Sequence, residues 1–197
     1  MPLPDFNIDG VLPPFVGAEG PPGPSEDLSP FRVSVLEVVH ALSFSEGRKT
    51  ILRGWLLHRM ALRAIGFNDG FQWIDGSFVE KGKEPKDIDV VMFFRRPSNA
   101  TTPTALARHR QANLAIFSRA QVKAAFHVDF MPIDLQGTPE LLVDFTRYYT
   151  GLFSHRRDDF LWKGMLQVPM DGSDDQDALD FLGHEPTISG TAVGSAS

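Results

Sequence analysis

Two aspartates separated by one residue stand at the start of an apolar stretch, DIDVVMFF, at residues 87–94. Side chains two positions apart share a face of a β-strand, so Asp87 and Asp89 are predicted to point the same way. Two carboxylates this close repel each other and are stable together only when positive charge lies between them. A hard divalent cation, Mg²⁺ or Mn²⁺, would supply that charge, and Mg²⁺ commonly binds carboxylates together with substrate phosphate oxygens.

A third carboxylate comes from the next predicted strand, FHVDFMPIDL, at residues 126–135. Asp129 and Asp134 are the two candidates there. We favour Asp129, because its neighbours alternate cleanly and Pro132 is expected to interrupt the strand before Asp134. If this strand lies beside the first, Asp129 joins the other two acids. Three carboxylates are enough for two metal ions that hold the attacking and leaving oxygens of a displacement at phosphorus.

A Gly-Ser pair follows the predicted short strand FQWID, residues 71–75. Gly76 would let the backbone approach a phosphate closely, and exposed N–H groups at such a turn bind anions. The hydroxyl of Ser77 adds a further donor. Asp75, directly before the pair, is interpreted as a turn residue. Acids that bind metal and a turn that binds phosphate together predict a site for a metal-bound triphosphate.

The basic segment SHRRDDFLWKG, residues 154–164, has two interpretations. It is either the charged surface of a helix or a basic wall that faces the triphosphate or the acceptor, with Lys163 binding the nucleotide. Tyr148, Tyr149 and Trp162 are nearby and are either core residues or a platform on which a base stacks. The sequence leaves both questions open.

The combination of these parts resembles the polymerase-beta-type nucleotidyltransferase superfamily. It consists of Gly-Ser, a spacer at residues 78–86, the apolar-flanked Asp-x-Asp and a later strand Asp, and it covers residues 71–135. The spacer FVEKGKEPK departs from the Arg-rich spacers of many small members. The segments NIDGVLPPF, GFQWIDGSFVE and HRRDDFLWKG are similar to small standalone bacterial nucleotidyltransferase-like proteins.

The resemblance implies an enzyme that uses Mg²⁺ or Mn²⁺ to move a nucleoside monophosphate from an NTP to an acceptor hydroxyl of a protein, an RNA or a small molecule. Gly76 and Ser77 would then bind the triphosphate and Asp87 and Asp89 both metals, while Asp129 would complete the metal site and help to deprotonate the acceptor. Small members resemble parts of toxin–antitoxin or phage-defence systems, which implies a protein partner from the same operon. The alternative is a nucleotide- or partner-binding module with little or no turnover, such as an antitoxin.

The elements that must position these residues predict an α/β fold. We expect a small, mixed, twisted sheet with helices packed on one face, as in a polymerase-beta-like core. The clearest helix covers residues 48–65, where Leu and Trp recur at helical spacing. Four arginines of this helix either form its solvated side or contact a substrate, and we favour the solvated side: Arg48, Arg53, Arg59 and Arg63. The predicted domain limits are a Pro/Gly-rich arm at 1–30, the nucleotidyltransferase domain at 31–170 and a flexible acidic tail at 171–197.

The composition of the 197-residue chain is typical of one globular domain, with 42% hydrophobic and 22% charged residues. The net charge of −6 argues against a protein that binds nucleic acid over its whole surface. The absence of Cys excludes disulfides and Cys-based metal sites. The N-terminus lacks the basic start and apolar core of a secretory signal, and no apolar run is long enough to span a membrane. We therefore expect a cytoplasmic protein that does not contact the membrane.

Overall fold

The computed structural model describes residues 3–17 and 27–183. In this part the chain forms five β-strands, six α-helices, and two 3-10 helices at Gly76–Val79 and Leu114–Ile116. None of these helices combines the length and the apolar character needed to cross a membrane. The strands are β1 (Phe31–Arg32), β2 (Gly70–Asp75), β3 (Ile88–Phe94), β4 (Val128–Asp134) and β5 (Leu166–Pro169). The α-helices are α1 (Val35–Leu42), α2 (Glu46–Ala64), α3 (Pro103–Ala112), α4 (Arg119–Phe126), α5 (Pro139–Phe153) and α6 (Asp175–Gly183).

The five strands form one mixed sheet in the order β1-β5-β2-β3-β4. β2 runs antiparallel to its neighbours β3 and β5, whereas β3 pairs with β4, and β1 with β5, in parallel. A parallel pair needs a long crossover, and α3 and α4 supply it between β3 and β4. The prediction of an α/β fold with a mixed sheet is therefore confirmed.

Alternation along β3 separates the two faces of the sheet. Val90 and Met92 point into the larger core, which they share with side chains of α1, α2 and α4. Val91 and Phe93 point into a smaller core, which they share with Tyr149 and other side chains of α5. The prediction that helices pack on one face only was wrong, because the apolar side chains of β3 are continuous and both faces must be covered.

α2 forms the main wall of the larger core. The hydroxyl of Ser45 accepts a hydrogen bond from the backbone N–H of Arg48 and so caps the start of the helix. Leu52 and Trp55 are fully buried against the sheet. Burial of a side chain such as Leu stabilises the fold by roughly 1.5–3 kcal/mol. The predicted helix at 48–65 is therefore confirmed, although its first turn begins earlier.

Two arginines of α2 lie in the interior rather than on a solvated side. Arg48 and Arg59 have no exposed surface. Arg59 forms an ion pair of 3.0 Å with Asp175 of α6, and it donates a hydrogen bond to the carbonyl of Pro169. The prediction of a solvated arginine side was wrong for Arg48 and Arg59, since distant segments supply buried acceptors that helical spacing does not reveal.

α2 holds α4 at short range through Gly54. A Cβ atom at this position would lie 2.1 Å from the carbonyl oxygen of Phe126, so only glycine lets the two helices approach so closely. β4 begins two residues after α4 ends. Arg119 and Lys123 of α4 are therefore held beside the first residues of β4.

Both chain ends contain segments that pack on the domain. Val11 and Leu12, inside the predicted arm, are fully buried. The prediction of a flexible tail from residue 171 was wrong as far as residue 183, because α6 buries Ala178 and Leu182 at four-residue spacing. The remainder of the predicted tail, 184–197, lies outside the described residues.

Candidate functional site

Three aspartates form one row across the sheet. In the strand register, Asp89 of β3 lies opposite Asp75 of β2 on one side and opposite Asp129 of β4 on the other. Residues paired in this way point to the same face. Asp87, which directly precedes β3, lines the same cleft of about 400 Å³. The structure thus brings together Asp87, Asp89 and Asp129, as the sequence predicted.

The Gly-Ser turn lies directly against this row. Gly76 follows β2 with a φ of +78°, and a Cβ atom on it would lie 1.9 Å from Oδ2 of Asp89. Any other residue would therefore be strained in its backbone and would displace the Asp89 carboxylate. Ser77 continues the turn and lines the cleft. The glycine allows the turn to pack directly against the carboxylate of Asp89. This steric requirement for glycine could not be predicted from the sequence.

Asp89 carries the least compensated charge of the row. Burial raises the pKa of its carboxyl, and repulsion from Asp87 and Asp129 raises it further. Among the described residues, no basic side chain lies within ion-pair distance of Asp89. The carboxylate of Asp89 would therefore gain from added positive charge in the cleft.

Asp87 and Asp129 are instead bound by two basic side chains of α4. Arg119 donates hydrogen bonds from Nε and Nη2 to the two carboxylate oxygens of Asp129. Lys123 Nζ lies 2.6 Å from Oδ2 of Asp87 and 3.2 Å from Oδ2 of Asp129, so it bridges the two acids. These hydrogen bonds, from Arg119 above all, lower the pKa of the Asp129 carboxyl.

The chemistry of these donors fits a divalent cation. The Lys123 ammonium lies between two carboxylates, whereas Asp89 beside them forms no ion pair with any basic side chain in the described part of the chain. Hard oxygen ligands of this kind are what Mg²⁺ and Mn²⁺ prefer. Within residues 3–17 and 27–183, however, no group of three or more Asp, Glu, His or Cys side chains is arranged to hold a metal ion. Asp87 and Asp89 are the residues that would hold one, with Asp129 joining after its basic partners leave.

A buried lysine supports the turn from below. Lys163 Nζ donates hydrogen bonds to the carbonyl of Gly76 at 3.0 Å and to Oε1 of Glu80 at 3.3 Å. It also forms an ion pair of 3.1 Å with Oδ1 of Asp75, without hydrogen-bond geometry. An ammonium has three N–H donors, and these hydrogen bonds occupy two of them. Lys163 lines the cleft as predicted, but its contacts position the turn, and nucleotide binding by Lys163 stays a prediction.

Asp75 is a structural acid at the end of β2. The interpretation of Asp75 as a turn residue was wrong, because it pairs in register with Asp89 and is almost fully buried. Burial raises the pKa of its carboxyl to about 7, against the opposing effect of Lys163. Its partner Lys163 is far away in the chain, so local spacing could not reveal the pair.

Arg48 holds the spacer that follows the turn. Its guanidinium donates hydrogen bonds to three backbone carbonyls, at 2.7 Å to Phe78, 2.6 Å to Glu80 and 2.9 Å to Lys83. Burial lowers the pKa of the guanidinium, yet the three carbonyls satisfy much of its donor capacity. The buried N-terminal end of α2 thereby fixes the backbone that leads from the Gly76 turn to Asp87.

A further part of the cleft lining comes from α5 and the segment after it. Tyr148, Tyr149, His155 and Arg157 line the cleft. The alternative of a charged helix surface was wrong, because α5 ends at Phe153 and the following residues form a loop. Asp158 of this loop forms an ion pair of 2.9 Å with Lys83 of the spacer.

The choice of Asp129 over Asp134 agrees with the geometry. Asp134 ends β4 and forms an ion pair with Arg96 at 2.7 Å, away from the cleft lining. The expected interruption at Pro132 was wrong, since β4 continues through this residue. β4 is the last strand in the sheet order, and an edge strand tolerates the missing N–H of proline.

Sequence reasoning missed several residues of the site. Arg119 and Lys123 were not singled out, and Arg48 was placed on a solvated side, although all three contact the spacer or the acids. The spacing of Arg119 and Lys123, four residues apart on a predicted helix just before the Asp129 strand, is the one local signal. Such pairs are common on solvated helices, so the signal is weak.

Comparison with known proteins places the chain in a family. No curated protein and no solved structure matches it. One family model matches residues 4–169, which include part of the N-terminal arm and every residue described above for the cleft. α6 begins after the matched region. The chain belongs to this family, a family of unknown function designated DUF6932.

Proposed function

We propose that the protein is a nucleotidyltransferase that moves a nucleoside monophosphate from an NTP to an acceptor hydroxyl. One observation carries the proposal: the Gly76 turn lies against the carboxylate of Asp89, which shares a row with Asp129. A structural acid pair would need no anion-binding turn packed onto it. A triphosphate that arrives with a divalent cation needs both in one place.

The proposed reaction is a displacement at the α-phosphorus of the NTP. The oxygen of the acceptor hydroxyl forms a bond to this phosphorus, and the bond to the oxygen bridging to the β-phosphate breaks. Pyrophosphate leaves with that electron pair, and the proton of the hydroxyl passes to Asp129. A divalent cation, when bound, would supply neutralising charge to the phosphates. Catalysis of this kind rests mainly on positioning and electrostatic stabilisation.

The chain's own residues divide this work. Gly76 lets a phosphate approach the backbone of the turn closely, and Ser77 offers its hydroxyl to the phosphates. Asp87 and Asp89 hold the positive charge that accompanies the triphosphate. Asp129 is a weak base while Arg119 binds it, because that contact lowers its pKa. Its basicity rises when Arg119 releases it.

The polymerase-beta-like core belongs to the same proposal. Its support is the mixed sheet in which β3 and β4 are neighbours and carry Asp89 and Asp129 at paired positions, with the Gly-Ser turn following the adjacent strand β2. The acceptor would enter along the part of the cleft lined by Tyr148, His155 and Arg157.

The test is transfer of label from an α-labelled NTP. The intact protein is incubated with each NTP in turn, with Mg²⁺ or Mn²⁺ and with a cell lysate as the source of acceptors. The proposal predicts that label appears on an acceptor, and that Asp87→Ala/Asp89→Ala eliminates it. Label transfer that is unchanged in this variant would contradict the assignment.

A second candidate is a nucleotide- or partner-binding module without turnover. The observation that favours it is that Arg119 and Lys123 already neutralise two of the three acids. This candidate predicts binding of an NTP without transfer to any acceptor tested. The labelling experiment, combined with equilibrium dialysis of the same NTP, separates the two.

A further inference from the structure

Arg119 and Lys123, which we call the α4 basic pair, lie where the substrate and the metal would meet. We infer that this pair is the polyphosphate-binding element of the site, which rests on the acids until a divalent cation takes its place and then binds the phosphates of the nucleotide. The inference rests on the proposed function and assigns it two further residues.

The contacts of the pair show competition for the same oxygens. Lys123 Nζ is within 3.2 Å of an oxygen of Asp87 and of Asp129, and Arg119 engages both oxygens of Asp129. A divalent cation bound by these acids would use the same lone pairs. Its charge would also repel the ammonium and the guanidinium, so the cation and the α4 basic pair cannot occupy the acids at the same time.

The basic side chains of the α4 basic pair are more exposed than the carboxylates that they bind, which allows them to leave these carboxylates for another ligand. The side chains of Arg119 and Lys123 are 64% and 47% exposed, whereas those of Asp129 and Asp87 are 13% and 23% exposed. The acids are thus fixed in the floor of the cleft, and the basic groups reach them from the surface on long, flexible stems. Ion pairs with an exposed partner contribute little to stability, so releasing them costs little.

The freed side chains are suited to phosphate. The planar guanidinium of Arg119 presents a fork that matches a phosphate in two hydrogen bonds, and Lys123 adds a point charge. α4 is held by its close contact with α2 at Gly54, so the pair stays at the mouth of the cleft after release. Rotation of the Arg119 and Lys123 side chains, without movement of α4, would then bring them from the acids to the phosphates.

The test measures two affinities that must shift in opposite directions. Binding of Mn²⁺ alone is followed by the electron paramagnetic resonance signal of free Mn²⁺, and binding of a non-hydrolysable NTP by equilibrium dialysis with saturating Mn²⁺. For Lys123→Gln, and for Arg119→Gln/Lys123→Gln, we expect Mn²⁺ alone to bind roughly 2- to 5-fold more tightly, the scale of a lost exposed ion pair. We expect the NTP analogue to bind roughly 10- to 100-fold more weakly, the scale of lost charge-assisted hydrogen bonds.

A matched control separates the effect of a direct ion pair with the acids from the general effect of positive charge in the cleft. Arg157 lines the same cleft and acts on Asp89 through its charge, but it is not within ion-pair distance of Asp87 or Asp129. Arg157→Gln should tighten Mn²⁺ binding less than Lys123→Gln does. An equal gain would mean that net charge alone explains the result and would overturn the inference.

The remaining outcomes are equally decisive. Unchanged or weaker Mn²⁺ binding in the variants would show that the pair does not compete at the acids. Tighter Mn²⁺ binding with unchanged NTP binding would show that the pair competes with the cation at the acids but does not bind phosphate. Opposite shifts without any label transfer would retain the inference and remove the proposed enzymatic function. Label transfer without the opposite shifts would remove the inference alone.

Discussion

Two pairs of basic side chains flank the cleft, and they differ in burial. Arg48 and Lys163, beneath the Gly76 turn, are buried and bind backbone carbonyls and buried acids. Arg119 and Lys123, the α4 basic pair, are exposed and bind the acids of the cleft. Burial makes a charge part of the scaffold, since removing it strands its partners away from water, whereas an exposed charge can exchange one partner for another.

The largest expected effect is on chemistry, at the acids themselves. Asp87→Asn and Asp89→Asn keep the shape of the side chain and remove its charge. Each should lower nucleotidyl transfer by about 10³-fold or more, the scale of lost electrostatic stabilisation of a transition state, and should leave the fold intact. Label transfer and circular dichroism measure the two properties.

Asp134→Asn is the matched control for these variants, because Asp134 lies on β4 outside the cleft. Its transfer rate should equal that of the wild type. An equal loss in all three variants would mean that the effect comes from folding and not from the acid row.

The next effect is on stability, and it compares the two basic pairs directly. Arg48→Met leaves two buried carbonyls and one partly buried carbonyl without their donor, so the free energy of unfolding should fall by roughly 3 kcal/mol or more. Arg119→Gln should change it by about 1 kcal/mol or less, because the arginine is exposed. Urea denaturation of both variants gives the numbers. Equal losses would contradict the division between scaffold and exchangeable charges.

A smaller effect is expected in the pH dependence of stability. The pKa of Asp75 is raised from 3.8 to about 7 by burial, so the folded protein holds this proton where the unfolded chain has released it. The contribution of Asp75 to the free energy of unfolding is therefore full below about pH 4 and is lost as the pH rises to about 7. Asp75→Asn should flatten the stability curve over this window in urea titrations. A slope identical to that of the wild type would show that Asp75 does not carry the proton.

The smallest effect is expected at Ser77, which contributes one hydroxyl to the turn. Ser77→Ala should weaken binding of a non-hydrolysable NTP by about 10-fold, the scale of one hydrogen bond to a charged group. Ser77→Thr retains the hydroxyl and should stay closer to the wild type in the same dialysis measurement. Equal affinities in all three proteins would contradict a role of Ser77 in binding the nucleotide.

The part of the site that the sequence predicted is the part that local spacing controls. Asp87 and Asp89 follow from strand alternation, and Gly76 and Ser77 from the chemistry of a turn. The mixed sheet follows from apolar runs separated by a helical crossover. Each of these rests on residues close together in the chain.

The missed part depends on partners far apart in the chain. Arg48 binds the carbonyl of Phe78, and Lys163 binds that of Gly76. Arg59 pairs with Asp175 in a segment that was interpreted as a tail. A buried charge cannot be recognised from its own neighbours, because its burial depends on an acceptor that only the folded chain supplies.

The most direct test of the acid row is a crystal structure of the protein with a non-hydrolysable NTP and Mn²⁺. The account predicts an anomalous Mn²⁺ signal at roughly 2.0–2.2 Å from oxygens of Asp87 and Asp89, the usual range for such small hard cations. It also predicts phosphate density against Gly76 and Ser77. Density for Mn²⁺ and nucleotide at another place on the molecule, with Arg119 and Lys123 still bound to Asp129 and Asp87, would contradict it.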